Sequence, residues 1–108
     1  MAPLLRLKLL GQVGITRVDG SELPTGLLQP RKLALLAYLA LQNRPVPRDE
    51  VLGLLWPEVP ERKARASLSQ LVHAVRRDCS VPIVDSQGSA LVFRRDVASC
   101  DACEFLQS

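Results

Sequence analysis

Aromatic side chains are scarce: one Trp, one Tyr and two Phe in 108 residues. Modules that grip single-stranded nucleic acid stack bases on aromatics spaced along a strand surface, so that mode is disfavoured. Histidine is scarcer still, with His73 alone. No Ser/His/Asp constellation, carboxylate pair or phosphate-cradling Gly loop accompanies it, and the chain is not expected to be an enzyme. Apolar runs are broken by charge before they reach membrane-spanning length. In the opening MAPLLRLKLLGQ, Arg6 and Lys8 interrupt what would be the apolar region of a secretory signal. A cytoplasmic location, with no membrane partner, is the expectation. Three cysteines are an odd number and do not read as a disulfide framework. Cys79, Cys100, Cys103 and His73 match a Cys₃His zinc set by count, but one C-x-x-C with scattered partners is not its spacing. No metal and no cofactor are expected.

What is present suits one small soluble domain. The chain is 47 % hydrophobic and 23 % charged, which suits a packed core. The net charge of +3 permits an anionic partner without demanding one. Its distribution says more. Between Arg62 and Arg77 there are five Lys/Arg and no Asp or Glu. The stretch from Pro60 to Asp78 has the helical period, with Leu68, Leu71, Val72 and Val75 forming an apolar stripe. Opposite lie Arg62, Ala66, Ser69, Gln70, His73 and Arg77, flanked by Arg65 and Arg76. A helix anchored on one side and small, polar and basic on the other fits the DNA major groove, although a merely solvated basic face has the same pattern.

The flanking segments supply context. Leu5, Leu7 and Leu9 alternate with Arg6 and Lys8, which predicts a half-buried strand. A second strand is expected over Val13–Val18. Asp19-Gly20 then reads as a hairpin turn into a short return strand at Ser21–Leu23, ended by Pro24. Pro30 sits at a first helical position. Arg31–Leu41 is apolar nearly all round and predicts the buried core helix, with Asn43-Arg44-Pro45 ending it. Pro47 opens a second helix over Arg48 to Leu55 or Trp56, whose first-turn Asp49 and Glu50 suit the helix dipole. The loop WPEVPE leads into the basic helix. After it, Val81–Val84 and Ala90–Phe93 predict two strands around a turn at Asp85–Ser89, with Arg94 and Arg95 at the far end. Val97–Ser108 looks like the start of a further helix, and the natural polypeptide is expected to be longer.

Helix, helix, basic helix and hairpin follow in the order of a winged helix, and particular residues narrow the match. These are LRLKLLGQ with Val18-Asp19-Gly20, Pro30-Arg31-Lys32-Leu33-Ala34-Leu35-Leu36, and Leu54-Leu55-Trp56-Pro57. Glu61-Arg62-Lys63-Ala64-Arg65-Ala66-Ser67-Leu68, Arg76-Arg77 and Asp101-Ala102-Cys103-Glu104-Phe105 complete them. In this order the chain resembles the N-terminal OmpR/PhoB-like DNA-binding domain of Streptomyces-antibiotic-regulatory-protein (SARP) type activators. In those proteins it precedes a bacterial transcriptional activation domain. The resemblance covers roughly Leu5 to Leu106. It implies an α+β winged helix-turn-helix with an N-terminal antiparallel sheet, three helices and a C-terminal hairpin wing. On this division residues 1–95 form the DNA-binding domain, and 96–108 a linker or the start of a following helical domain. It further implies the third helix in the major groove, the wing at the minor groove, direct-repeat promoter sites bound by head-to-tail pairs, and RNA polymerase as a partner. Three positions depart from the family pattern. Ala74 stands where many such helices carry a DNA-touching Arg, Ser89-Ala90-Leu91 replaces a common Gly-Tyr, and His73 replaces a common Ser.

Chemistry assigns the roles. Arg62 and Arg65 near the helix start, with Ser69, Gln70 and His73, are the expected groove-facing set, and Gln70 suits adenine. Arg65, Arg76 and Arg77 can serve guanine edges or phosphate. Ser67 can donate to phosphate. Arg31 and Lys32 at the first helix, and Arg94 and Arg95 by the wing, are the expected phosphate clamps. The rival reading is a winged-helix module for protein contact inside a larger signalling protein, which would need an exposed apolar patch on the third helix.

Overall fold

The alternating N-terminal leucines do form a strand. The computed structural model describes residues 3–42 and 44–107. Asn43, expected at the end of the first helix, lies outside them, as do Met1, Ala2 and Ser108. Strand β1 (Leu5–Lys8) buries Leu5 and Leu7 and pairs antiparallel with β2 (Gly14–Arg17), with Leu7 opposite Ile15. Helix α1 (Pro30–Gln42) follows a 3-10 turn at Thr25–Leu28. A two-residue strand β3 (Val46–Pro47) leads straight into α2 (Arg48–Leu55), and α3 (Glu61–Cys79) is the long helix. A hairpin, β4 (Val84–Gln87) and β5 (Ala90–Phe93), then gives way to β6 (Ala98–Cys100) and α4 (Asp101–Gln107).

The strands form two three-stranded sheets, β2-β1-β6 and β3-β5-β4. In the second, β5 is central, with Val46 opposite Leu91 and Gln87 opposite Ala90. Helices α1 and α3 pack against each other and against the second sheet around Leu27, Leu35, Leu36, Leu39, Leu68 and Val75, each no more than 1 % exposed. The architecture is α+β, with four helices among the described residues.

Three local expectations need correction. Ser21–Leu23 forms no return strand, because β1 is flanked by β2 on one side and β6 on the other. After Gly20 (φ +85°) the Asp19 carboxylate instead accepts from Ser21 N at 2.8 Å and Ser21 Oγ at 2.6 Å, a local turn that leads the chain off the sheet. The hairpin after α3 lies further along than its apolar residues suggest. Pro82 has no amide to donate, Ile83 N bonds back to Val81 O, and the polar Asp85-Ser86-Gln87 carries the strand instead. Its loop is only Gly88-Ser89, with Gly88 at φ +61° and Ser89 outside the positive-φ region, the pattern of a type II′ turn.

Helix α1 is the core helix expected, with Leu35, Leu36, Leu39 and Ala40 buried and only Ala34 and Leu41 of its apolar residues exposed. The third correction concerns the segment after Asp96. It does not run off as a linker. β6 pairs parallel with β1, Leu5 against Ala98, so the sheet is mixed and not purely antiparallel. Ala98, Cys100, Ala102 and Cys103 are buried in the common core. Asp101, opening α4, accepts from Leu9 N at 2.7 Å and Leu10 N at 3.3 Å. Burial opposes its ionisation, but the amides of Leu9, Leu10 and Ala102 hold its carboxyl below the usual range.

Candidate nucleic-acid interface

The two faces of α3 separate as its sequence requires. Ala64, Leu68, Val72, Val75 and Cys79 are buried at helical spacing, and Leu71 is half-buried beside them. Arg62, Ala66, Ser69, Gln70, His73, Arg76 and Arg77 are exposed, and Ser67 and Ala74 lie half-buried on one flank. The helix starts at Glu61 directly after Pro60, which fits a proline-limited entry with an acid at the positive dipole end. Arg76 and Arg77 occupy the last turn, and Ser80 in the left-handed region (φ 60°) closes it with its amide on Arg77 O at 3.2 Å. His73, Arg76 and Arg77 line a shallow recess with Ser80, Val81 and Pro82.

Among the described residues Arg62, Lys63 and Arg76 make no salt bridge, and their charge faces solvent. Arg77 Nε stands 3.6 Å from Asp78 Oδ1, with the side chain 67 % exposed. Arg65 is different. Its Nη2 lies 2.5 Å from Asp49 Oδ1 and 2.7 Å from Glu61 Oε1, and its Nε is 3.0 Å from the same Glu61 oxygen. It leans toward α2, away from the centre of the outward face.

Of the four expected clamps outside α3, two are disqualified, Lys32 and Arg94. Lys32 is 7 % exposed and its ammonium pairs with Asp78 at 2.9 Å, joining the start of α1 to the end of α3. The physical reason is that a lysine in the first turn of a helix against the core reaches inward when a buried carboxylate offers a partner. Arg31 is exposed, its guanidinium 5.4 Å from the Trp56 ring centroid, while Trp56 itself is a core residue. Arg94 is taken up by Asp85 at 3.1 Å and Asp96 at 2.6 Å, which raise its pKa through hydrogen bonding to Asp96 first. Arg95 is exposed and donates to Ala40 O at 3.0 Å. The hairpin tip, Ser86 to Ser89, is exposed and carries no basic residue.

Two basic residues outside the expected set join this surface. Lys63 belongs to the same helix but falls off its central stripe. Arg48 sits at the start of α2, donating from Nη2 to Ser86 Oγ at 3.1 Å while its amide meets Ser89 O at 3.3 Å. That bracing of α2 to the hairpin links residues 38 apart, and no local pattern announces it. Close by, Glu50 accepts from Tyr38 Oη and pairs with Arg44 at 2.7 Å, so both acids of the α2 first turn are paired with an arginine. The Tyr38 hydroxyl, and then Arg44, hold the Glu50 carboxyl below its usual range.

The chain is similar to transcriptional regulatory proteins. It is 40 % identical over 70 residues, 64 % of its length, to the transcriptional regulatory protein EmbR of Mycobacterium bovis and of two strains of Mycobacterium tuberculosis. It spans only 17 % of the length of those relatives. No family model matches it.

The cysteines stand apart from this surface. Cys79, Cys100 and Cys103 are all buried free thiols, and Cys103 Sγ donates to Ala40 O at 3.2 Å. Burial pushes both Cys79 and Cys103 up to about 11. Among the described residues no group of three His, Cys, Asp or Glu is placed to hold a metal ion, and no helix is long and apolar enough to cross a membrane.

Proposed function

We propose that this chain is the duplex-DNA-binding module of a transcription regulator, a winged helix-turn-helix of the OmpR/PhoB-like, SARP-associated kind. α3 is its major-groove helix and the β4–β5 hairpin its wing. The observation that carries this is the outward face of α3, where Arg62, Ala66, Gln70, His73 and Arg77 are exposed together while the opposite side is locked into the core. A helix with side chains is about 10–12 Å across and the major groove about 12 Å wide, so it enters only where small residues face the bases, and Ala66 supplies that. Similarity to a transcriptional regulatory protein supports the regulatory role. Ser69, Gln70 and His73 are the base-facing candidates, with Arg62, Arg76 and Arg77 free to meet phosphates and Ser67 on the flank. The wing meets the neighbouring minor groove through polar groups, since its tip has no cation. Direct-repeat sites, head-to-tail pairing on DNA and contact with RNA polymerase belong to the same proposal.

The protein-contact alternative needs apolar side chains exposed on α3. The large apolar residues most exposed among those described are Leu4, Leu10, Val13, Val18, Leu41, Leu54, Phe105 and Leu106, all elsewhere. The test is selection from a pool of random duplexes followed by titration at several salt concentrations. Enrichment of a defined sequence is expected, with log K falling by about 0.9 per phosphate neutralised for each tenfold rise in salt. Arg62→Ala and Arg76→Ala should each flatten that slope without changing the melting temperature. If no sequence is enriched, or the slope ignores both changes, α3 is not the reading helix.

A further inference from the structure

One cation of α3 is set apart from the rest. Arg62, Lys63 and Arg76 face solvent without an acidic partner among the described residues, whereas Arg65 is gripped by carboxylates from two different helices. The cluster is compact: Asp49 Oδ1 lies 2.5 Å from Nη2, and Glu61 Oε1 lies 2.7 Å from Nη2 and 3.0 Å from Nε. Two carboxylates and one guanidinium leave a net charge of −1. A DNA phosphate approaching it meets repulsion, so the cluster as a whole adds nothing to sequence-independent attraction. Its Nη1 takes part in none of these contacts and carries two directional N–H donors. A base edge presents acceptors without net charge, such as guanine O6 and N7, which a cluster of charge −1 repels far less than a phosphate.

Resting on the DNA-binding reading above, we propose that Asp49 and Glu61 are specificity-determining residues: they hold Arg65 as a base reader and deny it to the phosphate backbone. Clamped between α2 and α3, the guanidinium has its direction fixed before DNA arrives. Orientation is what a hydrogen bond to one base edge requires, whereas a phosphate contact tolerates many angles. The free cations of α3 supply the indiscriminate attraction, and the clamped one supplies choice. The carboxylates weaken total affinity while widening the gap between the right duplex and any other.

The experiment compares two probes, an unselected random-sequence duplex pool and a duplex enriched from it by the parent protein. Titrations use the parent, Asp49→Asn, Glu61→Gln and Arg65→Ala, with Glu58→Gln as a control. Glu58 is exposed in the α2–α3 loop and lies outside the cluster. Asp49→Asn is expected to tighten binding to the unselected pool by about fivefold at low salt, the scale of one unit charge at contact distance in water. It should also steepen the salt slope by about 0.9, as Arg65 becomes a phosphate contact. Glu61→Gln should act in the same direction, the preference for the enriched duplex should shrink in both, and Glu58→Gln should do less than either. Arg65→Ala takes the cluster from −1 to −2 and should weaken the pool by about fivefold at low salt, and the enriched duplex by clearly more than that. All variants should melt with the parent, because the altered groups are exposed.

An unchanged pool affinity in Asp49→Asn overturns the proposal. So does an Arg65→Ala variant that weakens both probes equally, since Arg65 is then an ordinary clamp. Failure of the parent to bind any duplex defeats the DNA-binding reading itself, and binding of the pool without enrichment defeats base reading by α3. The two levels of failure are thus distinct.

Discussion

Removing the carboxylate of Asp78 should destabilise this protein far more than any other single charge change. Asp78 and Lys32 are 9 % and 7 % exposed and meet at 2.9 Å, tying the last turn of α3 to the first turn of α1. Asp78→Ala leaves the Lys32 ammonium in a site that Gly26 and the 3-10 turn close over, for a Cβ on Gly26 would stand 3.7 Å from its Nζ. Breaking a buried pair from one side costs about 3–5 kcal/mol, and the residual exposure of this one argues for about 3. A domain of this size has about 5–15 kcal/mol in total, so the melting temperature should fall by roughly 10–20 °C. Lys32→Met should cost less, because Arg77 Nε, 3.6 Å from Asp78 Oδ1, still faces the orphaned carboxylate and the Met keeps the lysine stem's packing. The double change Lys32→Met/Asp78→Leu removes both charges and should lie within about 1 kcal/mol of the parent.

Acidity gives an independent check on the same pair. The Lys32 hydrogen bond is the main reason that the Asp78 carboxyl lies below its ordinary value, against the opposing effect of burial. Its folded pKa is therefore below its unfolded one, near about 3.9. The stabilisation is complete above the unfolded value and disappears as pH falls through the folded value. Urea titrations by circular dichroism at pH 7 and across the acid range measure both effects. If the double variant loses as much as Asp78→Ala, the loss comes from packing and the account of an uncompensated charge is refuted.

Three other outcomes are expected. Leu68→Ala, at a site 1 % exposed, should cost about 2–5 kcal/mol in chemical denaturation; a loss under about 1 would mean that α3 is not anchored there. Cys79 and Cys103, pushed up to about 11, should label slowly with a thiol alkylating reagent at pH 7 and quickly in denaturant, as followed by mass spectrometry; equal rates in both would contradict their burial. Gly88→Ala should destabilise by about 1 kcal/mol in thermal melts, from its φ of +61° alone, since nothing within 4 Å opposes a Cβ; a neutral result would mean that the hairpin loop adopts another turn.

Much of the fold is legible in the sequence, for reasons tied to short range. The stripe of Leu68, Val72 and Val75, the prolines at 30, 47 and 60, and the alternation of Leu5 and Leu7 each encode local geometry within a turn or two of chain. Observed helix boundaries at Pro30, Arg48 and Glu61 follow directly. The exposed face of α3 comes from the same logic, because burying one side of a helix leaves the other side outward. Where the sequence misleads, a local signal competes with a distant partner. The apolar Val81 to Val84 resembles a strand, yet only Val84 of it pairs in the β4–β5 ladder, which runs on through the polar Asp85-Ser86-Gln87. Asp19-Gly20 is a turn, but the sheet has no place for a returning strand there.

What the sequence by itself determined is the identity of the two-faced helix and of the elements that carry it. Tertiary structure alone decided which basic groups are free. Lys32 finds its carboxylate 46 residues away, Arg65 one of its two 16 away, Arg94 finds Asp85 nine away, and Arg95 a carbonyl 55 away. A charge on the page looks the same whether paired or solvated. Only the folded chain brings the partner within hydrogen-bonding distance, and that distance separates Arg62, Lys63 and Arg76 from the clamped Arg65.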